Sequence, residues 1–565
     1  KFFDKFNIDG YIVPKNDKFF GEYIPESSDN LKYLTNFSGS AGFAIILREK
    51  KYIFVDGRYT VQANIQCKKN YTICTIPKQY PTNIFKKKVT LGFDPKLHTE
   101  NSINRIFKNS LINLQPIEEN LINLIREKKR GVRLKKFYQI KNKFTGLSAE
   151  NKIIKILKII KLKKVDYFFI TASENVAWLL NIRGSDSLYS PIPNTHALID
   201  KKGGISIFCN LTQISSAFKK SLGKRIKIYD FIFLPNTISK ISSKKILIDP
   251  LTCSVFFKTI IKKNNLILEK KDPIYDLKSI KNKTEIRNTI KSHIYDGVAL
   301  TKFIFWIKNN FIKKKITEIT AEKKLLQFRR KNESFRYLSF PTISGTGPNG
   351  AIIHYRASKK SNKFLKKGDI YLIDSGGQYS YGTTDVTRTL SLDNKNNRIK
   401  EIFTRVLKGH IAVCSYSLNK YTCGNDIDKV ARKPLKEINL NYPHGTGHGV
   451  GYFLNVHEGP QSISSNNKTN FKEGMITSNE PGFYKKGHFG IRIENLIYVK
   501  KFKQILKFEN LTLVPIDKNL IERNLLNTEE KKWLNEYHSY VFKNLKKYMN
   551  KFELDQLKQA CSNIK

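Results

Sequence analysis

Ile370-Tyr-Leu-Ile-Asp374-Ser-Gly-Gly-Gln-Tyr379 is an apolar run that ends on an acid and then on glycines. Gly382-Thr-Thr-Asp385-Val-Thr-Arg-Thr-Leu390 follows at once, with an acid opening a second β-branched run. The pattern reads as a β-hairpin whose two aspartates approach each other across the strand pair, where facing Cβ atoms lie ~5 Å apart. A similar arrangement recurs downstream. Met475-Ile-Thr-Ser-Asn-Glu480 and Gly490-Ile-Arg-Ile-Glu494 flank a Pro-Gly turn and place a second acid pair 14 positions apart, against 11 for the first. Two ribbons with two acids each predict an internally two-fold sheet with the acids at its centre.

Four carboxylates brought together repel, and all cannot stay ionised cheaply. A pair of divalent cations removes the repulsion, and shared carboxylates hold such ions ~3.5–4 Å apart in two-metal hydrolases. Between the ribbons lies His444-Gly-Thr-Gly-His448-Gly-Val-Gly, and then Asn-Val-His457-Glu-Gly-Pro. The glycines around His448 let the backbone approach a site. Four carboxylates and one imidazole form a mostly oxygen donor set, which favours Mn, Co or Fe and leaves Zn open. A water bridging the ions would be acidified to hydroxide and would attack a carbonyl polarised by one of them. Upstream, His354 closes a glycine-rich loop in Ala-Ile-Ile-His354-Tyr.

The chain is long, 565 residues, so two or three cores are expected. A 40% apolar content supports globular domains rather than disorder. The net charge of +53 would suit an anionic partner. The lysines, however, are spread along the whole chain, and no basic run with interleaved aromatics forms a nucleic-acid motif. A solvated basic surface is the reading, and neither nucleic acid nor membrane is expected as a partner. Seven cysteines, an odd number with no Cys-x-x-Cys pair, argue against a disulfide framework or thiolate zinc. They fit a reducing, cytoplasmic setting. No apolar stretch reaches the ~18 residues of a membrane helix. The start, Lys-Phe-Phe-Asp, has no signal-peptide core and no initiator Met, so a trimmed N-terminus is expected.

Outward from the acid ribbons, the first half reads as a tandem repeat. Tyr33-Leu-Thr-Asn-Phe-Ser-Gly-Ser40 matches Trp178-Leu-Leu-Asn-Ile-Arg-Gly-Ser185. A short strand precedes each (Tyr11 to Val13, Tyr167 to Ile170). A hairpin follows each, Gly42 to Leu47 with Tyr52 to Val55, and His196 to Asp200 with Gly204 to Phe208. Helices are expected over 101–109 and 121–128, and the basic stretch from Arg126 to Lys136 reads as a linker. The third region opens with a long helix whose stripe of Ile286, Ile290, Ile294, Val298 and Ile304 should face inward. A helix over 317–330 turns Ile319, Leu325 and Phe328 inward. Residues 529–545 form an amphipathic helix that packs on this region or on a second subunit.

The acids and histidines together resemble the pita-bread metallopeptidases, the group of methionine aminopeptidase, prolidase, creatinase and aminopeptidase P. The chain is most similar to the three-domain aminopeptidase P family. The resemblance implies an α/β (α+β) architecture: two tandem creatinase-like N-terminal domains, 1–133 and 134–277, then a pita-bread catalytic domain with a C-terminal extension, 278–565. It implies release of the N-terminal residue from peptides with proline in second position, aided by two divalent ions, usually manganese. Asp385 and Glu494 are then the bridging carboxylates, Asp374 chelates one ion, and His448 and Glu480 bind the other. Glu480 also relays a proton, His354 and His457 steady the tetrahedral intermediate, His444 lines the proline pocket, and Arg492 orients a ligand carboxylate. A homodimer through the third domain is implied as well. A prolidase-like dipeptidase and a metal-free histone-binding member of the fold are the competing readings. The first is tested by the two N-terminal units, the second by the intact ligand set.

Overall fold

The structure is a computed structural model that describes residues 1–109, 111–127 and 134–565. It divides into two compact units, Lys1–Tyr275 and Asp276–Lys565. Most of the basic stretch read as a linker, 128–133, lies outside the described residues. The helix expected over 121–128 spans Leu121–Ile125, and the one expected over 101–109 spans Glu100–Phe107.

The first unit contains the repeat in full. One six-stranded sheet runs, edge to edge, Thr72–Ile76, Lys51–Asp56, Phe43–Leu47, Gly10–Pro14, Val89–Phe93 and Ile112–Pro116. The other runs Ile226–Asp230, Ile205–Cys209, His196–Asp200, Tyr167–Ile170, Lys245–Ile248 and Leu266–Glu269. Strand directions agree as well. In both, the two central hairpin contacts are antiparallel and the outer pairings are parallel. The matched sequence octets do the same local work. Asn36 ends the Asn30–Thr35 helix at φ 61°, and Asn181 follows the Ser173–Leu179 helix at φ 55°. Asparagine tolerates this left-handed conformation better than most residues, which is why it recurs there.

The second unit opens with the Lys283–Asn310 helix, capped by Asn282 and Glu285 in a reciprocal box. Its buried face differs from the expected stripe. Ile304 is buried as expected, but Ile286, Ile290, Ile294 and Val298 are only half-buried against the core, whereas Thr289, His293, Asp296 and Gly297 are fully buried. Polar groups win that face because each is bonded. Asp296 takes two hydrogen bonds from Arg329 and one from the Tyr379 hydroxyl. Gly297 sits where a Cβ would meet the Leu513 carbonyl at 2.4 Å. The Glu318–Arg330 helix buries Glu318, Ala321, Leu325 and Arg329, with Ile319 and Phe328 half-buried.

The Thr528–Leu545 helix packs on this same unit. Leu534, Tyr537, Val541 and Leu545 join one apolar cluster with Leu390 and Ile491 and with Ile373 and Val386, the neighbours of Asp374 and Asp385. Six cysteines are buried and Cys423 is half-buried, all as free thiols. Among the described residues no helix is long and apolar enough to cross a membrane.

Candidate active site

The Ile370–Ser375 strand carries Asp374 and pairs antiparallel with the Val386–Ser391 strand. Asp374 stands opposite Thr387, and Asp385 precedes the second strand. The expectation that the two aspartates face each other is therefore corrected. Two short strands, Gly377–Tyr379 and Gly382–Thr383, fill the connection, and they push Asp385 two positions out of register with Asp374. The glutamates form the expected pair, but Pro481-Gly482 is not the turn: Gly482 opens a strand, and the chain reverses at Lys486-Gly487. Ile476–Asn479 pairs with Asn495–Phe502, Asn479 opposite Asn495. Gly482–Lys485 pairs with Phe489–Arg492, Gly482 opposite Arg492. The same register places Glu480 opposite Glu494 in the gap between the two ladders.

Thr387 joins the ribbons. Its hydroxyl donates to Glu494 Oε2 at 2.8 Å and accepts from Arg492 Nε at 3.0 Å. His448 closes the group from a third segment. Asp385, His448 and Glu494 each present a donor atom within 4.8 Å of the others. His448 Nε2 lies 3.5 Å from both Asp385 Oδ2 and Glu480 Oε1. Its Nδ1 contacts the Gly449 carbonyl at 2.9 Å. A carbonyl only accepts, so the proton sits on Nδ1 and Nε2 is left to face the acids. Gly449 must be glycine, since a Cβ there would lie 2.0 Å from the Glu458 carbonyl. Ser478 braces the arrangement, accepting from the His448 backbone N–H at 2.9 Å and donating to Glu480 Oε1 at 3.0 Å.

The electrostatics are those of a site short of positive charge. Burial, then the charges of Asp385, Glu480 and Asp374, hold the Glu494 carboxyl well above the usual range. Burial pushes Asp374 up to about 6, partly countered by Arg492. Burial works downward on His448, but Asp385 and Glu480 outweigh it and bring the imidazole to about 9. Glu480 is held below its ordinary value: burial opposes this, and His448, His444 and Arg492 overcome it. Asp374 Oδ1 is buried without a hydrogen-bond partner. Four crowded carboxylates, an orphaned oxygen and an aimed imidazole nitrogen make a donor set that fits divalent cations and is costly without them.

Arg492, expected to orient a ligand carboxylate, is instead only 2% exposed. Its nitrogens reach Asp374 Oδ2 at 2.6 Å, the Tyr484 hydroxyl at 2.5 Å and Thr387. A substrate carboxylate would have to displace one of these, so the assignment is revised to an internal counter-charge for Asp374. His444 is half-buried. Its Nδ1 donates to the Gly445 carbonyl and its Nε2 accepts from the Tyr484 hydroxyl at 2.9 Å. Burial pushes it down to about 4, so it is neutral near pH 7. His457 is exposed, with its ring centroid 4.1 Å from that of His448. His354 stands outside the three-ligand group. It is half-buried, on the loop leaving the Ile343–Thr346 strand, in which Ile343 pairs with Asp374. Tyr484, Thr387 and Ser478 were not singled out from sequence. Tyr484 alone had a visible cue, its place directly after Glu480-Pro-Gly-Phe.

Residues 288–501 match the model of metallopeptidase family M24, and 504–564 match the C-terminal region of that peptidase. Residues 1–127 and 128–285 each match a creatinase/prolidase N-terminal domain. A Coprinopsis cinerea protein named probable Xaa-Pro aminopeptidase P is 36% identical over 99% of this chain and 96% of its own length. The chain belongs to metallopeptidase family M24. Another M24 relative, Xaa-Pro aminopeptidase 1 of Dictyostelium discoideum, is 35% identical over 95% of the chain and 90% of its own. Among solved M24-like structures, the X-prolyl aminopeptidase of Caenorhabditis elegans superposes with a TM-score of 0.93 at 29% identity. It covers 99% of this chain and 95% of that one, and is described as a cytosolic enzyme with a di-nuclear active site. Dipeptidases such as the Xaa-Pro dipeptidase of Bacillus anthracis share the fold over 66% of the chain, with a TM-score of 0.55.

Proposed function

We propose that this M24 peptidase is an Xaa-Pro aminopeptidase, a hydrolase that releases the N-terminal residue from peptides with proline second. The observation that carries the reading is the convergence of three carboxylates from two ribbons, Asp385, Glu480 and Glu494, around the His448 imidazole. Support comes from a chain that aligns over nearly its whole length with relatives so named. We further propose three domains, 1–133, 134–277 and 278–565. Each six-stranded sheet falls inside one of the first two ranges.

Asp374, Asp385, His448, Glu480 and Glu494 would hold two divalent ions, manganese by preference for a mostly oxygen set. When bound, such ions polarise the scissile carbonyl and acidify water near neutral pH. The chain's own groups do the rest. Glu480, ionised at pH 7, accepts a proton from the attacking water at a carboxylate oxygen. It delivers that proton to the proline nitrogen, which must be protonated to leave as a secondary amine. His457 and His354 donate hydrogen bonds to the developing oxyanion. Neutral His444, locked by Tyr484, offers a flat wall to the pyrrolidine ring, and an imide nitrogen needs no N–H acceptor there. Arg492 keeps Asp374 ionised and oriented.

A homodimer through the third domain and a cytosolic location complete the reading. The latter is supported by the description of the C. elegans protein. Sedimentation as a monomer at micromolar concentration would remove the dimer. The central test is hydrolysis of Xaa-Pro-Xaa tripeptides by chelated protein reloaded with Mn²⁺, Co²⁺ or Zn²⁺ in turn. Equal cleavage of Xaa-Ala-Xaa would defeat the proline preference, and cleavage of dipeptides alone would indicate a prolidase.

A further inference from the structure

The reading of His457 leaves its neighbour unexplained. Glu458 is buried, and its carboxylate meets two lysines from the segment just before the long first helix of the second unit. Lys281 Nζ donates to Oε1 at 2.5 Å, and Lys278 Nζ lies 3.3 Å from Oε2. All three side chains are about 1% exposed. The lysines are anchored in turn. Lys281 Nζ also donates to the Lys278 carbonyl, and the Lys281 backbone N–H donates to the Gly474 carbonyl at 3.0 Å. The lysines pull the Glu458 carboxyl below its ordinary value, although burial pushes the other way.

Such a triad is a poor way to gain stability. Withdrawing three charges from water costs about as much as their attraction returns, and apolar replacements are often as stable. What a buried ion cluster does supply is a fixed position. Here the fixed segment is short. Val456 is fully buried, Glu458 is buried, and His457 between them points out, its ring against His448. The Glu458 backbone N–H also donates to the Gly449 carbonyl at 2.8 Å, which ties the segment to the residue after His448.

We propose that Glu458, clamped by Lys281 and Lys278, is a positioning residue that holds the His457 ring at its place beside His448 during peptide cleavage. The inference rests on the aminopeptidase reading, and the full-length Mn²⁺-loaded protein tests both. Lys281→Met keeps one cation for one anion, so it spares the fold the two buried lysine charges that Glu458→Gln would leave without a counter-charge. With an Xaa-Pro-Xaa peptide it should lower kcat about tenfold or more, as small misplacements of reacting groups do. KM should stay within about twofold, and metal content should not change. In a His457→Ala background, Lys281→Met should cost nothing further, because the residue it positions is gone. Lys278→Met, also charge-matched, should show the same pattern with a smaller loss, and it carries the cycle should Lys281→Met not fold. Wild-type turnover in the folded variant, or losses that simply multiply with His457→Ala, would overturn the positioning role alone. A wild-type protein inactive on every Xaa-Pro peptide would overturn the functional reading and this inference with it.

Discussion

The two acid ribbons look alike in sequence and differ in construction. In the glutamate ribbon, the register runs unbroken from Asn479 opposite Asn495 to Gly482 opposite Arg492, so Glu480 and Glu494 confront each other. In the aspartate ribbon, Asp374 faces Thr387, and Asp385 is displaced by the inserted strands. The space opposite Asp374 is then taken by a hydroxyl that binds Glu494 and Arg492. One ribbon supplies charges head-on. The other supplies them staggered, and uses the vacated position to tie itself to the first. The Glu494 backbone N–H donates to the Thr387 carbonyl at 3.2 Å, and the Thr389 hydroxyl bonds both the N–H and the carbonyl of Arg492.

The largest test of this contrast is Glu494→Gln. If Glu494 is shared by both ions, the variant should lose both and its kcat/KM should fall by about 10³-fold or more. Elemental analysis beside the peptide assay checks it, and retention of two ions would remove the shared role. Asp374→Asn should be milder in metal, costing one ion, but should still remove most activity. It also leaves Arg492 without its buried partner, a change that typically costs a few kcal/mol. A variant that keeps both ions and near-native turnover would mean that Asp374 serves Arg492 and no cation. Thr387→Val keeps volume and removes the hydroxyl's bonds to Glu494 and Arg492, while the backbone and Thr389 ties between the ribbons stay. Metal affinity should weaken about 10- to 100-fold, the usual size for a group that orients a ligand. An unchanged titration curve would make the staggered register incidental.

The smallest effect lies outside both ribbons. His538 Nε2 accepts from the Ile516 N–H at 3.1 Å, and burial pushes this histidine down to about 3. Its folded value is below its unfolded one, so its contribution is complete above about pH 6.5 and fades as pH falls toward 3. The slope is at most about 1.4 kcal/mol per pH unit. Urea unfolding of metal-free protein at pH 7 and 5 should show this loss added to that of the other buried histidines, His98, His196 and His410, and His538→Gln should lessen the dependence by one group's share, with an unchanged slope removing the role of His538.

The acids and His448 were legible because charged residues in apolar, β-branched runs and among glycines need a reason. The repeat was legible because two octets carry the same left-handed asparagine. The stagger was not legible, since Gly377–Tyr379 and Gly382–Thr383 read only as a turn-rich connection. The partners of Arg492 and Glu458 were hidden for another reason. Asp374 lies 118 residues from Arg492, and Lys281 lies 177 from Glu458. Periodicity cannot pair residues so far apart. The first long helix misled through its polar face, because buried Thr289 and Asp296 look like a solvent side until their bonds are known.

The docking of the Thr528–Leu545 helix has a practical side. Tyr537 and Val541 share a core with Ile373 and Val386, so the tail is part of what keeps the aspartate strands dry. A protease nick or an early stop codon near residue 505 would not trim an ornament. It would strip the lid from that core, and the shortened protein should be recovered from inclusion bodies rather than as a slower catalyst.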